Sequence, residues 1–170
     1  MNCINFVVPM NPCPCGYYPD RARCSCTRPQ VHRYMGKVSG PILDRIDLCV
    51  ELAAVDYDSL KSRAKAESSA EIRGRVERAR RIQEERFRGT STRFNGDIEV
   101  SAMERYCGLG EEQQRCMERL YGSLQLSARA YHRILRVART IADLEGAEEI
   151  GTAHLMEASY YRPSMEYWGN

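Results

Sequence analysis

Apolar residues recur along this chain with two different periods. Near the start, Ile4-Asn-Phe-Val-Val8 is a short β-branched run stopped by Pro9 and Pro12, which predicts a buried strand ending in a tight turn. Further on, Ile46, Leu48, Val50 and Leu52 alternate with Asp47, Cys49 and Glu51, the two-residue period of a strand. From Ala66 to Arg88 the period lengthens. Ile72, Val76, Ala79, Gln83 and Phe87 form a narrow stripe at three- and four-residue spacing, and the other faces of that helix are charged. Residues 90–96 are polar and turn-forming, hence a linker. A short helix then runs to Cys107 before Gly108, and a longer one from Glu111 to Leu124 points Met117, Leu120, Tyr121 and Leu124 inward. Ser127 is a good N-cap for a helix carrying Tyr131, Ile134, Leu135, Ala138, Ile141 and Ala142 on one face, with Gly146 as its stop. Thr152 is expected to cap a last helix through Tyr160. The fold class expected is α+β, mainly α: two short strands and a cysteine loop followed by a helical bundle.

Composition narrows the class. With 170 residues, 43% hydrophobic and 28% charged, the chain is ordinary for a soluble globular protein. Its apolar runs fall far short of the roughly 20 residues needed to span a bilayer. The N-terminus also lacks a signal peptide's basic and apolar regions, so a cytoplasmic location without membrane partners is expected. The formal charge of +2 hides an asymmetry: residues 61–93 hold eleven Lys/Arg against five Glu. Such a segment either is a solvated helix surface with Glu partners or faces phosphate.

Eight cysteines are present, four of them as Cys13-x-Cys15 and Cys24-x-Cys26 in an aperiodic loop running to Thr27. The C-x-C spacing places neighbours awkwardly for pairing with each other. Four thiolates within fourteen residues match one tetrahedral Zn²⁺, although the spacing is less diagnostic than paired C-x-x-C knuckles, and reduced free thiols or disulfides are the alternatives. His32 is a substitute ligand of lower rank. Cys49, Cys107 and Cys116 fall on strand or helix patterns and are assigned to core packing. His132 and His154 have no partner at ligand spacing, so capping or packing is their role.

Three stretches carry a resemblance: MNPCPCGYYPD (10–20), QVHRYMGKVSGPILDRIDL (30–48) and LSARAYHRILRVARTIADLEG (126–146). They resemble the magnesium-chelatase-like AAA+ proteins of the ComM (YifB) type. The family's ATP-binding loop should precede them, and no G-x-x-x-x-G-K-[ST] occurs in this sequence. The resemblance therefore implies the second half of a motor domain: the end of the nucleotide-binding core with its cysteine loop at 1–58, a basic connecting helix at 59–94 and the helical lid at 95–170. On this reading the two strands pair with segments outside the chain, and residues 95–162 are its most ordered part. Asn11, otherwise an Asn-Pro turn, matches the family's sensor-1 position, which orients the water attacking the γ-phosphate. Arg45, otherwise a surface arginine paired with Asp44 or Asp47, matches the arginine finger donated to a neighbouring subunit. Arg129, otherwise paired with Glu148 or Glu149, matches sensor 2, with Arg133, Arg136 and Arg139 solvated or interfacial. The whole protein so implied is a hexameric ring that uses ATP and Mg²⁺ to move DNA, as a branch-migration helicase in recombination and transformation. Two rival readings stand beside it: an ATP-driven chaperone subunit that remodels a protein for metal insertion, and a zinc-and-helix interaction module that needs no nucleotide.

Overall fold

The computed structural model describes residues 6–43, 45–52, 55, 57, 61 and 66–162, and everything below concerns these. They fall into two compact units, one built on the first 46 residues and the other spanning Asp47–Arg162. The first unit holds the cysteine loop, helix α1 (Arg28–Met35) and the single turn α2 (Gly40–Leu43). Its small core is Cys13, Val31 and Met35, with Cys15, Tyr18, Cys24, Cys26 and Tyr34 packed around them.

The second unit is helical: α3 (Ser69–Arg86), α4 (Met103–Cys107), α5 (Glu111–Ser123), α6 (Ala128–Glu145) and α7 (Thr152–Tyr160). Helix α6 is the centre, against which α3, α4 and α7 all pack. Its ends are set locally. Ser127 Oγ accepts a hydrogen bond from the Ala130 amide at 3.2 Å, and Gly146 closes the helix at φ +78°, a left-handed conformation that suits glycine. Its inner face buries Ala130, Ile134, Leu135, Ala138 and Ile141 in one cluster with Met117, Leu120, Leu155 and Ile98, and Ala142 is buried too. Burying each Leu or Ile contributes about 1.5–3 kcal/mol. Phe87 meets Tyr106 edge to face at 5.0 Å on the same core.

Helix α3 docks differently. Its capping box is complete, with the Ser68 amide donating to Glu71 Oε2 at 2.7 Å and the Glu71 amide to Ser68 Oγ at 3.3 Å. Yet Ile72 and Val76 of the expected stripe are exposed, and only Ala79 and Gln83 of this helix, with Phe87 just after it, are buried. Polar groups make the junction instead. Gln83 Oε1 accepts from the Asn95 amide at 3.0 Å, and Arg86 donates through both Nη atoms to the fully buried Asp143 carboxylate of α6, with 2.7 Å from Nη1 to Oδ2. Asn95 Nδ2 reaches the same oxygen at 2.7 Å. Arg139 adds a bond from Nε to Asp143 Oδ1 at 3.2 Å and spends its other nitrogens on the carbonyls of Ala147 and Glu148 at 2.6 and 2.8 Å. Burial disfavours the Arg139 charge and lowers its pKa, while the Asp143 carboxylate opposes that shift.

Several expectations are corrected here. No β-strand occurs among the described residues; Phe6, Val7, Val50 and Leu52 are exposed, and Ile4 lies outside the described residues. An alternating run makes a strand only when a neighbour supplies ladder partners. In residues 46–52 the hydrogen bond from the Cys49 amide to the Tyr161 carbonyl, at 2.7 Å, belongs to no ladder. Tyr121 and Leu124 are exposed where an inward face was expected. Gly151, not Thr152, caps α7, its amide donating to His154 Nδ1 at 2.8 Å. Arg133 and Arg139 are buried and not solvated, and Arg136 holds the Ile98 carbonyl at 2.6 and 3.0 Å. No helix among the described residues is long and apolar enough to cross a membrane.

Removing the Asp143 carboxylate strands the Arg139 guanidinium in the core. Asp143→Ala is expected to destabilise the helical unit by about 3–5 kcal/mol, whereas Glu84→Ala on the surface of α3 should change it by less than about 0.5 kcal/mol. Urea unfolding followed by helix circular dichroism measures both, and near-equal midpoints would remove Asp143 from the centre of the fold.

Candidate functional site

The cysteine loop is two turns facing each other over α1. In the first, Gly16 takes φ +84° and its amide donates to the Cys13 carbonyl at 3.1 Å, folding Cys13 and Cys15 to the same side. The second is organised by Asp20, whose carbonyl accepts from the Cys24 amide at 2.8 Å and whose carboxylate accepts from the Ala22 amide at 3.0 Å and Arg23 Nε at 2.7 Å. Gln30 Oε1 takes the Thr27 amide at 2.8 Å to start α1, which brings Val31 and Met35 beneath the sulfurs.

All seven described cysteines are free thiols. The Sγ atoms of Cys13, Cys15, Cys24 and Cys26 all lie within 4.8 Å of one another, with 3.3 Å for Cys13 to Cys15, 3.6 Å for Cys15 to Cys24 and 3.9 Å for Cys13 to Cys24. A tetrahedral ion with metal–sulfur bonds of about 2.3 Å requires sulfur–sulfur edges of about 3.8 Å. The cluster is near that size, and its four soft donors suit a thiophilic divalent ion. Its electrostatics agree. The Tyr17 amide, foremost, pulls the Cys15 thiol down to about 6. At Cys26 an amide bond from Cys15 works downward, but burial and the adjoining Cys15 and Cys13 sulfurs outweigh it and push the thiol up to about 11. Four adjoining sulfurs cannot all ionise without a cation to offset their repulsion. His32 is not among the clustered ligands.

Asn11 is exposed, its amide about 3.8 Å from where a Cβ on Gly16 would sit, so it belongs to the edge of the same loop. Arg45 is exposed, and its Nη1 donates to the Pro41 carbonyl at 3.3 Å. Asp47 is not its partner but sits 3.7 Å from Arg133 Nε, and Asp44 lies outside the described residues. Arg129 is exposed in the first turn of α6, and among the described residues it pairs with neither Glu148 nor Glu149. Asn11 and Arg45 belong to the first unit and Arg129 to the second.

Two features were not read from the sequence. One is the Arg86–Asp143–Arg139 group, signalled only by an aspartate on the apolar face of α6 four residues after an arginine. The other is a cleft of about 180 Å³ lined by Tyr18, Arg21, Arg28, Val31 and His32. Its cations are diluted in the sequence by the more obvious charge of residues 61–93.

Residues 2–60 match the model of the magnesium chelatase subunit ChlI family, and residues 66–162 that of the ChlI C-terminal domain. Among curated proteins, the competence protein ComM of Haemophilus influenzae is 40% identical over 157 residues, 92% of this chain and 30% of its own length. The uncharacterized YifB proteins of Salmonella typhimurium and Escherichia coli are 40% and 38% identical over the same length and share. The chain thus spans less than a third of the length of these relatives.

The thiol shifts give an order of reactivity in chelator-treated protein. At pH 7 Cys15, with its pKa near 6, is mostly thiolate and Cys26, near 11, is a thiol, so limiting iodoacetamide should label Cys15 first. Peptide mass spectrometry over a time course reads the order; Cys26 labelled ahead of Cys15 would contradict the arrangement.

Proposed function

The chain belongs to the magnesium chelatase ChlI family, and on that footing we propose that it is the C-terminal part of a ring-forming AAA+ ATPase of the cytoplasm that couples ATP hydrolysis to remodelling of DNA. The observation that carries this reading is the 40% identity with a competence protein along nearly the whole chain, because competence is the handling of incoming DNA. Branch migration during recombination is the activity proposed for the whole protein, and a hexamer its working form. A metal-inserting protein remodeller, the rival within the same family, draws support only from the family's name.

The roles of individual residues follow the family's motifs and the chemistry of phosphoryl transfer. Mg²⁺ and ATP, when bound, supply the transferable phosphoryl group and the charge that balances it. Asn11 offers a neutral amide, suited to orienting a water by hydrogen bonds without adding charge. Arg45 offers a planar, permanently charged guanidinium on an exposed turn, the requirement for a group that reaches a neighbouring subunit's nucleotide. Arg129 is a cation where the helix end already carries partial positive charge, a placement that an anionic ligand offsets. The four cysteines are proposed to hold one structural Zn²⁺, all four positions being filled by protein so that the ion clips the loop and does no chemistry.

Two measurements test this. In the full-length protein Arg45→Ala should lower ATP turnover by roughly 10³-fold or more while nucleotide binding persists, and mixing it with a phosphate-loop mutant should restore part of the activity, since finger and loop act across an interface. Near-normal turnover would return Arg45 to the role of a surface residue. Elemental analysis should find close to one zinc per chain, absent from Cys13→Ser or Cys24→Ser; protein prepared under reducing, chelator-free conditions and holding no metal would leave the cluster as free thiols.

A further inference from the structure

Residues 13–37 carry the exposed cations Arg21, Arg23, Arg28, Arg33 and Lys37 against one carboxylate, Asp20. That carboxylate is already engaged by Arg23 and two backbone amides. Among the described residues the remaining cations of this segment pair with no carboxylate. Helix α1 is pinned through Val31 and Met35, and its four-residue repeat sets Arg28 and His32 one turn apart on the wall of the cleft, with Arg21 and Tyr18 of the cysteine loop opposite. The aromatic rings interleave with the charge: Arg21 lies over Tyr18 and Arg23 over Tyr17, each at 5.1 Å, and Lys37 over Tyr34 at 5.5 Å. Cationic groups beside flat aromatic and guanidinium faces are what an unstacked nucleic-acid strand needs, the first for phosphates and the second for bases.

We propose that this face of the cysteine loop and α1 binds single-stranded nucleic acid without sequence preference, Arg21 and Arg28 on the phosphates and Tyr17 and Tyr18 beneath the bases. It rests on the DNA-remodelling reading above and assigns the contact to a different place from the basic helix. On α3 three of the six arginines, Arg75, Arg80 and Arg86, are engaged by carboxylates, and among the described residues Arg73, Arg78 and Arg81 carry no aromatic partner that could take a base. Arg75 pairs with Glu67 and Arg80 with Glu84; beyond the helix end Arg88 pairs with Glu85, and Arg86 is turned into the core. A duplex offers the phosphates but keeps its bases stacked, so the tyrosines favour a single strand.

The test is fluorescence anisotropy of the whole 170-residue chain with three probes: fluorescein-labelled oligo-dT of 20 nucleotides, a duplex of the same length, and polyglutamate. The single strand should bind more tightly than the duplex. Arg21→Glu/Arg28→Glu should weaken it by roughly tenfold or more and flatten its salt dependence by about 0.7 in the log–log slope for each phosphate that is no longer neutralised. Arg78→Glu/Arg81→Glu, an equal charge change at exposed positions of α3, should cost less than about threefold if phosphate binding is local to the loop. Tyr17→Ala should weaken binding by about fivefold or more through the missing stacking platform. Matching circular dichroism melts establish that the variants are folded. Wild-type affinity in Arg21→Glu/Arg28→Glu, no binding of the single strand by the wild-type chain, or polyglutamate binding as well as DNA would each overturn the assignment, the last pointing to an acidic protein. Full-length protein separates the two levels: absence of DNA-stimulated ATP hydrolysis sinks the functional reading, whereas its persistence together with unchanged DNA affinity in Arg21→Glu/Arg28→Glu sinks this inference alone.

Discussion

The helical unit depends on one buried carboxylate. Asp143 has no exposed side-chain surface, and it collects Arg86 from α3, Asn95 from the following turn and Arg139 from its own helix. Through Arg139 the same group reaches the carbonyls of Ala147 and Glu148, which lead into α7. Helix α3 presents little apolar surface of its own, so this contact, with Gln83 on the Asn95 amide, decides where it docks. A paired buried charge is weak evidence for net stability but strongly constrains geometry, because any other docking leaves a charge unpaired in the core. Among the described residues every buried side-chain nitrogen and oxygen has a partner, as such a core requires.

The first unit is governed by the opposite problem, since it has too little to bury. Three residues make its core, one of them a cysteine, and that is a small return against the conformational entropy of ordering a loop and a helix. Hydrogen bonds accepted by Asp20 and Gln30 and donated by the Gly16 amide shape the backbone but lie near solvent, where each contributes about 1 kcal/mol. A structural metal on the four sulfurs is the staple that small units commonly use, and it would hold Asn11, Arg21 and Tyr18 in register with α1. Structure and proposed function meet at this loop.

Arginines sort themselves by what surrounds them. Arg86, Arg133, Arg136 and Arg139 are consumed by carboxylates or carbonyls of the fold. On the surface of α3 and just beyond it, Arg75, Arg80 and Arg88 pair with Glu67, Glu84 and Glu85, exposed ion pairs worth little stability. Arg45 and Arg129 remain exposed with no carboxylate among the described residues, which is compatible with the ligand-facing roles proposed for them. Exposure alone assigns no role, and the roles proposed for both rest on the resemblance to the family's motifs.

Sequence alone settled what is local. Ser127 as cap, Gly146 as stop and the apolar face of α6 between them needed only side-chain chemistry within a few residues, and the stretches that carry the family resemblance are likewise local. It failed where the partner is remote. The alternation at 46–52 specifies two faces, but a strand exists only when another segment supplies its ladder, and none among the described residues does. The sequence reading likewise left Arg139 solvated or interfacial and the basic segment that holds Arg86 as a solvated or phosphate-facing surface, because an arginine carries no mark saying that an aspartate 57 residues from Arg86 will be buried beside it. The cleft on α1 was hidden for the same reason, its two walls coming from a loop and a helix whose approach is fixed by packing beneath the sulfurs. Tertiary structure decided which charges were spent on the fold and which were left for function, since that depends on distances the order of residues does not contain.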